Sequence, residues 1–256
     1  MITIITPSYN QQRYIERTIR SVLDQAADDG VEYIVMDGGS TDGTLDILKR
    51  YEGRIRWFSA RDNGQSDAIN QGLALSGGEI IGWLNSDDCY LPGTLQKVKD
   101  FFQKHPEKKW VYGRCRIIDE NDREIRRMVT FYKNLISRKF SYKWLLMENY
   151  ISQPAVFFRK EVLAELGHTN PDLHYTMDYE MWLRMGAIYP AGVIHSYLAC
   201  FRRHAGTKSE MDFRKQFLEG YEVVKKMDKG WFVCFIHKLN TVKIIGLYRI
   251  MKFFGS

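Results

Sequence analysis

The sequence predicts an α/β fold, a Rossmann-like and mostly parallel sheet flanked by helices. Three observations carry this reading. Short apolar, β-branched runs alternate with helical patterns as far as residue 105. The first four of those runs each end in a cluster rich in Ser, Asp, Asn and Gly. A chain of 256 residues with 45% hydrophobic composition can also build one large domain with a modest appendage.

The elements follow in order. ITIIT (2–6) is the first strand, and residues 11–26 place Tyr14, Ile15, Thr18, Ile19, Val22 and Leu23 at helical spacing. VEYIVM (31–36) is a second strand and residues 42–51 a second helix. RIRWFSA (54–60) is a third strand, leading to a helix over 66–75. EIIGWL (79–84) is a fourth strand, and Pro92 precedes a helix over 93–105. The second part is less regular. Strands at 110–119 and 153–158 flank a basic, aromatic stretch, 131–150, whose structure the pattern leaves open. A helix over 160–167 ends at Gly167. Residues 177–189 form a helix with Met181, Trp182 and Met185 on its apolar side, and 191–209 read as a strand entering a glycine-containing loop.

Parallel sheets bind ligands beyond the carboxyl ends of their strands, and the polar clusters fall there. They are Pro7-Ser8-Tyr9-Asn10, Asp37 to Gly43, Arg61 to Asp67, and Asn85-Ser86-Asp87-Asp88. Any one of them suits a turn with helix caps, and Asp42 reads as such a cap. Four on one edge point to a site.

The four cysteines, Cys89, Cys115, Cys200 and Cys234, form no CxxC pair, so neither a zinc site nor a disulfide framework is indicated. Reduced thiols in a cytosolic protein are expected. The opening MITIITPSYN has neither the basic region nor the cleavage site of a signal peptide. No run reaches the roughly 18 to 20 apolar residues of a membrane span. The net charge is +6, with Lys229, Lys238, Lys243, Arg249 and Lys252 in a tail that has no acid. The same tail holds Trp231, Phe232, Phe235, Ile236, Leu239, Ile244, Ile245, Leu247, Ile250, Phe253 and Phe254. That composition fits a helix lying on an anionic membrane surface, with a helix packed on its own domain as the alternative. No nucleic-acid motif accompanies the charge.

The stretches ITPSYNQQRYIERTIRSVLDQ, EYIVMDGGSTDGT and DNGQSDAINQGLALSGGEIIGWLNSDDCYLPGTL together resemble the nucleotide-sugar glycosyltransferases of family 2. SQPAVFFRKEVLAELG, MDYEMWLRM and YLACFRRHAGTKS resemble the acceptor half of the same family. The resemblance covers roughly residues 1–209. It implies the GT-A fold, with a nucleotide-binding half (1–118), an acceptor half (119–209) and, beyond it, a C-terminal helical appendage (210–256).

The resemblance also implies roles. Pro7 to Asn10, Asp37 and Gly38 would hold the nucleobase and ribose, with Asp67 in the same pocket. A carboxylate accepts well from a base N–H or a ribose hydroxyl, which suits Asp37; first-turn placement, favoured by the helix dipole, is the other reading of Asp67. Asn85 to Asp88 match the family's DxD motif, which binds Mg²⁺ or Mn²⁺ on a diphosphate; hard cations take such carboxylates together with phosphate oxygens. Here the first acid of the motif is Asn85, so Asn85 and Ser86 are assigned to the nucleotide and Asp87, then Asp88, to the metal. His204 matches a position near diphosphate and metal, and Arg202, Arg203 and Lys208 would meet phosphate oxygens. Asp178 matches the catalytic base, with Met177 where the family has a second acid. Trp182 and Arg184 read as structural.

The expected activity is an inverting transfer of a sugar from a nucleoside-diphosphate sugar to a hydroxyl of a saccharide acceptor, with a lipid-linked acceptor suggested by the tail. A cytoplasmic protein, peripheral on the inner face of the membrane, follows from the same tail. The competing reading is a nucleotide-sugar-binding protein of the same fold that has lost turnover, kept open by Asn85 and Met177. A dinucleotide oxidoreductase is excluded because PSYNQQ, not GxGxxG, follows the first strand. An aspartyl phosphatase is excluded because its acids would follow the first strand, not the fourth.

Overall fold

The computed structural model describes residues 1–25, 30–207, 212–227 and 230–253. Lys208, Lys229 and Phe254 lie outside the described residues, as do the side chains of Leu247, Arg249, Ile250, Lys252 and Phe253.

The first part alternates as its pattern predicts. Strands β1 (Ile2–Ser8), β2 (Val31–Asp37), β3 (Arg56–Ser59) and β4 (Ile80–Trp83) are joined by helices α1 (Ile15–Leu23), α2 (Thr44–Lys49) and α3 (Gln65–Leu75). Their pairings are all parallel, β3 to β2, β2 to β1 and β1 to β4. β1 is buried at every position, as a strand covered on both faces must be. Side-chain alternation splits its residues between two layers. Ile2 and Ile4 pack with Ile15, Ile19, Leu95 and Val98 on one face, while Ile5 packs with Ile69, Leu73 and Trp182 on the other.

Beyond β4 the sheet becomes mixed. The later elements are β5 (Cys89–Tyr90), α4 (Thr94–Lys104), β6 (Trp110–Ile118), α5 (Arg127–Ile136), α6 (Tyr142–Met147), β7 (Val156–Arg159), α7 (Val162–Leu166), α8 (Met177–Ile188), β8 (Gly192–Arg202), α9 (Phe213–Met227) and α10 (Trp231–Phe253). The strand order is β3-β2-β1-β4-β7-β6-β8-β5. β7 runs antiparallel to both β4 and β6, β8 parallel to β6, and β5 antiparallel to β8. Parallel pairing therefore describes β1 to β4, and the later strands join them through the antiparallel β4–β7 seam. The stretch 131–150 is helical, divided between α5 and α6, with Leu145 and Leu146 buried. Gln153–Ala155, expected to open a strand, form a 3-10 turn before β7.

Trp182 of α8 is fully buried and stacks on Trp110 of β6, with ring centroids 6.1 Å apart. This contact fixes α8 against the sheet. The appendage then packs over α8 and α6. α10 buries Val233, His237 and Thr241 at four-residue spacing, which is one face of a helix. His237 donates from Nδ1 to the carbonyl of Leu146 at 2.9 Å, and burial holds its pKa down, so the ring is neutral. Trp231, Phe235, Leu239 and Val242 stay exposed on the remaining surface of α10. No helix among the described residues is long and apolar enough to cross a membrane.

Candidate active site

The loops after β1 and β2 are built as one unit. The parallel register sets Ser8 opposite Asp37, and Gly38 donates its N–H to the Ser8 carbonyl. Asn10 adopts a left-handed φ of 53°, a conformation that Asn tolerates. There its N–H reaches the Ser40 hydroxyl and its Oδ1 accepts from Thr41 N–H, both at 2.8 Å. Asp37, 3% exposed, accepts from the N–H groups of Gly39 and Ser40 and from the hydroxyls of Ser40 and Ser59. Its carboxylate thus shapes the floor of this loop. A Cβ at Gly38 would lie 2.7 Å from Asp62 Oδ2, so a side chain there would displace the Asp62 carboxylate. Tyr9 is exposed beside this floor, while the Ser8 hydroxyl is buried without a hydrogen-bond partner. Asp67, in the first turn of α3, accepts from the backbone and side chain of Asn63, and the Asn63 N–H holds its pKa down. Asp42 accepts from Thr44 N–H and Gln12 N–H, closing the turn into α2.

The Asn85–Asp88 loop is clamped from several elements. Thr18 of α1 places its hydroxyl 2.8 Å and 2.7 Å from the carbonyls of Ser86 and Asp88. Asn85 Oδ1 accepts from Gln65 Nε2 and Trp83 Nε1, and Nδ2 donates to Gln153 Oε1 and Asp88 Oδ2. All four positions of the amide are used inside the protein, which leaves none for a ribose or a metal-bound water. Gln153 is itself fixed by donating to the Trp83 carbonyl. Neighbouring acids then take opposite sides. Asp88 is fully buried, and its Oδ1 accepts from the Arg202 N–H at 2.8 Å. Burial and the Asp87 charge push its pKa well up. This is not the setting of a metal ligand, and Asp88 differs here from its expected role.

Asp87 faces His204. The Asp87 Oδ2 lies 3.2 Å from His204 Nε2, and His204 Nδ1 accepts from Gly206 N–H. With Nδ1 accepting, the ring proton sits on Nε2 and points at the carboxylate. The imidazole packs on Tyr14, with ring centroids 4.5 Å apart. Arg202 also departs from its expected role. Its guanidinium is buried, donating to the carbonyls of Asp87 and Asp119 and pairing with Asp122 at 2.6 Å. It fixes the backbone of the acid loop and presents nothing to a phosphate. Among the described residues no group of three or more His, Cys, Asp or Glu is arranged to hold a metal by itself. Asp87 nonetheless fits a cation that draws its other ligands from phosphate and water, and His204 could join it only through Nε2, after giving up the proton it turns to Asp87.

Asp178 occupies the first turn of α8. Burial raises its pKa to about 6, against the pull of the Tyr179 and Asp178 amides and of Lys133. Glu180 faces elsewhere and is held by Arg184 at 2.7 Å and 2.9 Å. Arg184 also donates to the carbonyls of Leu166 and His168, a structural role.

The Glycosyl transferase family 2 profile matches residues 3–167. The chain belongs to glycosyltransferase family 2. An uncharacterized glycosyltransferase of Rickettsia conorii is 29% identical over 213 residues, 80% of this chain and 34% of that protein. Chondroitin synthase of Escherichia coli is 29% identical over 210 residues, 79% of this chain and 29% of that protein. The chain spans about a third of the length of several of these curated relatives, and 74% of an uncharacterized glycosyltransferase of Mycobacterium tuberculosis. Among solved structures, S. aureus TarS 1–349 in complex with UDP-GlcNAc aligns with a TM-score of 0.68 at 18% identity, covering 89% of this chain and 67% of that one. The mannosyltransferase PcManGT from Pyrobaculum calidifontis, in complex with GDP-Man and Mn²⁺, aligns with a TM-score of 0.67 at 18% identity, covering 88% of this chain and 64% of that one. The fold is therefore GT-A. In this family 2 chain, sequence reasoning passed over Thr18, Gln65 and Gln153, which hold the acid loop from distant segments. Thr18 and Gln153 stand as polar residues in otherwise apolar patterns, and Gln65 lies within the polar cluster Arg61 to Asp67.

Proposed function

We propose that the chain is an inverting glycosyltransferase, moving a sugar from a nucleoside-diphosphate sugar to a hydroxyl of a saccharide acceptor. The observation that carries this is Asp87 facing His204 at the carboxyl edge of the sheet, with Asp178 raised to about 6 on the acceptor side. The Pro7–Asn10 and Asp37–Gly38 floor would seat the nucleoside, with Asp67 at its rim. Asp87 and His204 would hold Mg²⁺ or Mn²⁺, which would offset charge on the departing diphosphate. Asn85 and Ser86 act by shape, keeping Asp87 in place. Asp178 takes the proton from the acceptor hydroxyl as that oxygen attacks. Glu180 is tied to Arg184, so one base without a carboxylate nucleophile fits a single displacement and inversion. The GDP-Man and Mn²⁺ of the mannosyltransferase complex and the UDP-GlcNAc of the TarS complex support a nucleotide-sugar donor.

The acceptor reading draws on the surface. Met128, Phe131 and Leu135 on α5, Trp144 on α6, and Trp231 and Phe235 on α10 are exposed. From Ile125 to Met147 the chain carries Arg126, Arg127, Lys133, Arg138, Lys139 and Lys143 and no acid. Apolar and basic side chains together suit an anionic lipid surface, and Lys133 on α5 lies near enough to Asp178 to act on its pKa. A lipid-linked acceptor at a membrane face fits this arrangement.

A thermal-shift panel of UDP, GDP, CDP, dTDP and their sugars, with and without Mn²⁺, tests the proposal. A ligand at a hundredfold excess over Kd stabilises the folded state by about 2.7 kcal/mol, roughly 5 to 11 °C for a chain of this size. One nucleotide standing out only with metal is the expected result. A shift without metal dependence would remove Asp87 and His204 as cation ligands. No shift with any nucleotide would refute the donor site.

A further inference from the structure

We infer that Glu219, on α9 and beyond the family match, is a positioning residue that sets the first turn of the helix carrying Asp178; this rests on Asp178 being the base. One carboxylate gathers four donors at that turn. Glu219 Oε1 accepts from His174 N–H at 3.0 Å. Its Oε2 accepts from Tyr175 N–H, Thr176 N–H and the Thr176 hydroxyl, each at 2.8 Å. Thr176 is the N-cap of α8, yet its side chain makes no cap bond to the helix. Its hydroxyl is turned to Glu219 instead, so the entry to the helix is shaped by a group on another element. Three consecutive N–H groups converging on one anion form the kind of nest that fixes a backbone turn. A second tie runs in parallel, from the Tyr175 hydroxyl to Asp212 at 2.8 Å.

Two consequences separate positioning from plain support. Asp178 lies two residues past Thr176, so its carboxylate moves with the turn. The Glu219 charge also acts on Asp178, raising its pKa, while Lys133 on α5 lowers it. The appendage is then part of the catalytic apparatus, although the transferase profile ends at residue 167.

The test uses the full chain and needs no acceptor. Carboxyl-¹³C aspartate NMR follows the titration of Asp178, assigned by the resonance lost in Asp178→Asn. The wild type should titrate near 6, and Glu219→Gln should titrate lower. Hydrolysis of the donor selected by the thermal panel, in which water takes the acceptor's place, gives its proton to Asp178 and receives the sugar as the nucleoside diphosphate leaves, should fall roughly 10- to 100-fold in Glu219→Gln with donor KM unchanged, the scale expected for a misplaced catalytic group. Glu219→Asp keeps the charge and shortens the reach, so it should leave the titration in place and lower turnover. It also serves if Glu219→Gln fails to fold. Wild-type titration in Glu219→Gln, or wild-type turnover in Glu219→Asp, would overturn the inference. Undiminished turnover in Asp178→Asn would instead overturn the assignment of the base, and the positioning role with it.

Discussion

Asn85→Asp restores the acid that the family's motif carries, and it should destabilise this protein in a pH-dependent way. The Asn85 amide donates to Gln153 Oε1 at 3.2 Å and to Asp88 Oδ2 at 3.5 Å. A carboxylate there removes both donors and sets oxygen against oxygen. The stranded Gln153 acceptor, in a residue 9% exposed, costs about 1–3 kcal/mol. The new carboxyl sits beside Asp87 and the buried Asp88, so its folded pKa rises, at about 1.4 kcal/mol per unit. The total is about 3 kcal/mol near neutral pH, or roughly 6 to 12 °C in Tm for a chain of this size. A group whose folded pKa is raised leaves stability intact below its unfolded pKa of about 3.9 and removes it as pH rises through the folded value. The deficit against wild type should therefore be small near about pH 4.5 and widen toward about pH 8. Calorimetric melts of both proteins across that range measure it. A variant as stable as wild type at every pH, or a deficit that does not change with pH, would refute the idea that an amide is required at this position.

Asp178→Asn should lower transfer about 10²- to 10⁴-fold while nucleotide affinity stays unchanged by calorimetric titration. A base must be ionised to act, so wild-type turnover should fall as pH drops through about 6. Trp110→Phe should destabilise more than Trp182→Phe. Trp110 Nε1 donates to the Tyr189 carbonyl at 2.6 Å, whereas Trp182 Nε1 is buried without a partner. The difference, about 1–3 kcal/mol by denaturant melts, should vanish if the indole N–H groups do not matter. Deleting residues 230–256 should abolish flotation with anionic vesicles; full-length protein that fails to float would remove the membrane reading.

The parallel part of the sheet was legible because its signals are local. A β-branched run followed by Ser, Asp, Asn and Gly marks both a strand and its carboxyl end, and Asp37 and Asp87 stand at such ends. Asp88 was not separable from Asp87 by residue type. Their opposite burial comes from the chain turning back into the sheet at β5, and two residues are too few to show alternation. The stretch 131–150 resisted reading because α6 is only a turn and a half and its Leu145-Leu146 pair suits strand or helix equally. Arg202 reads as a phosphate ligand because it stands beside His204 in the loop that the family resemblance sets near the diphosphate. Its actual partners, Asp119 and Asp122, lie 83 and 80 residues earlier in the chain. Glu219 carries no signal in the sequence, since nothing local shows three amides converging on it.

The facing of Asp87 and His204 bridges 117 residues of chain. It is set by the pairing of β5 with β8, where Cys89 stands opposite Cys200. During synthesis the loops after β1 to β4 emerge well before the strand that brings the imidazole. A nascent chain or proteolytic fragment ending before β8 would carry the floor proposed for the nucleoside and the acid loop yet lack the second ligand proposed for the cation. Manganese-dependent nucleotide binding would then report on whether the whole domain has closed, and premature fragments would not compete with finished molecules for the donor.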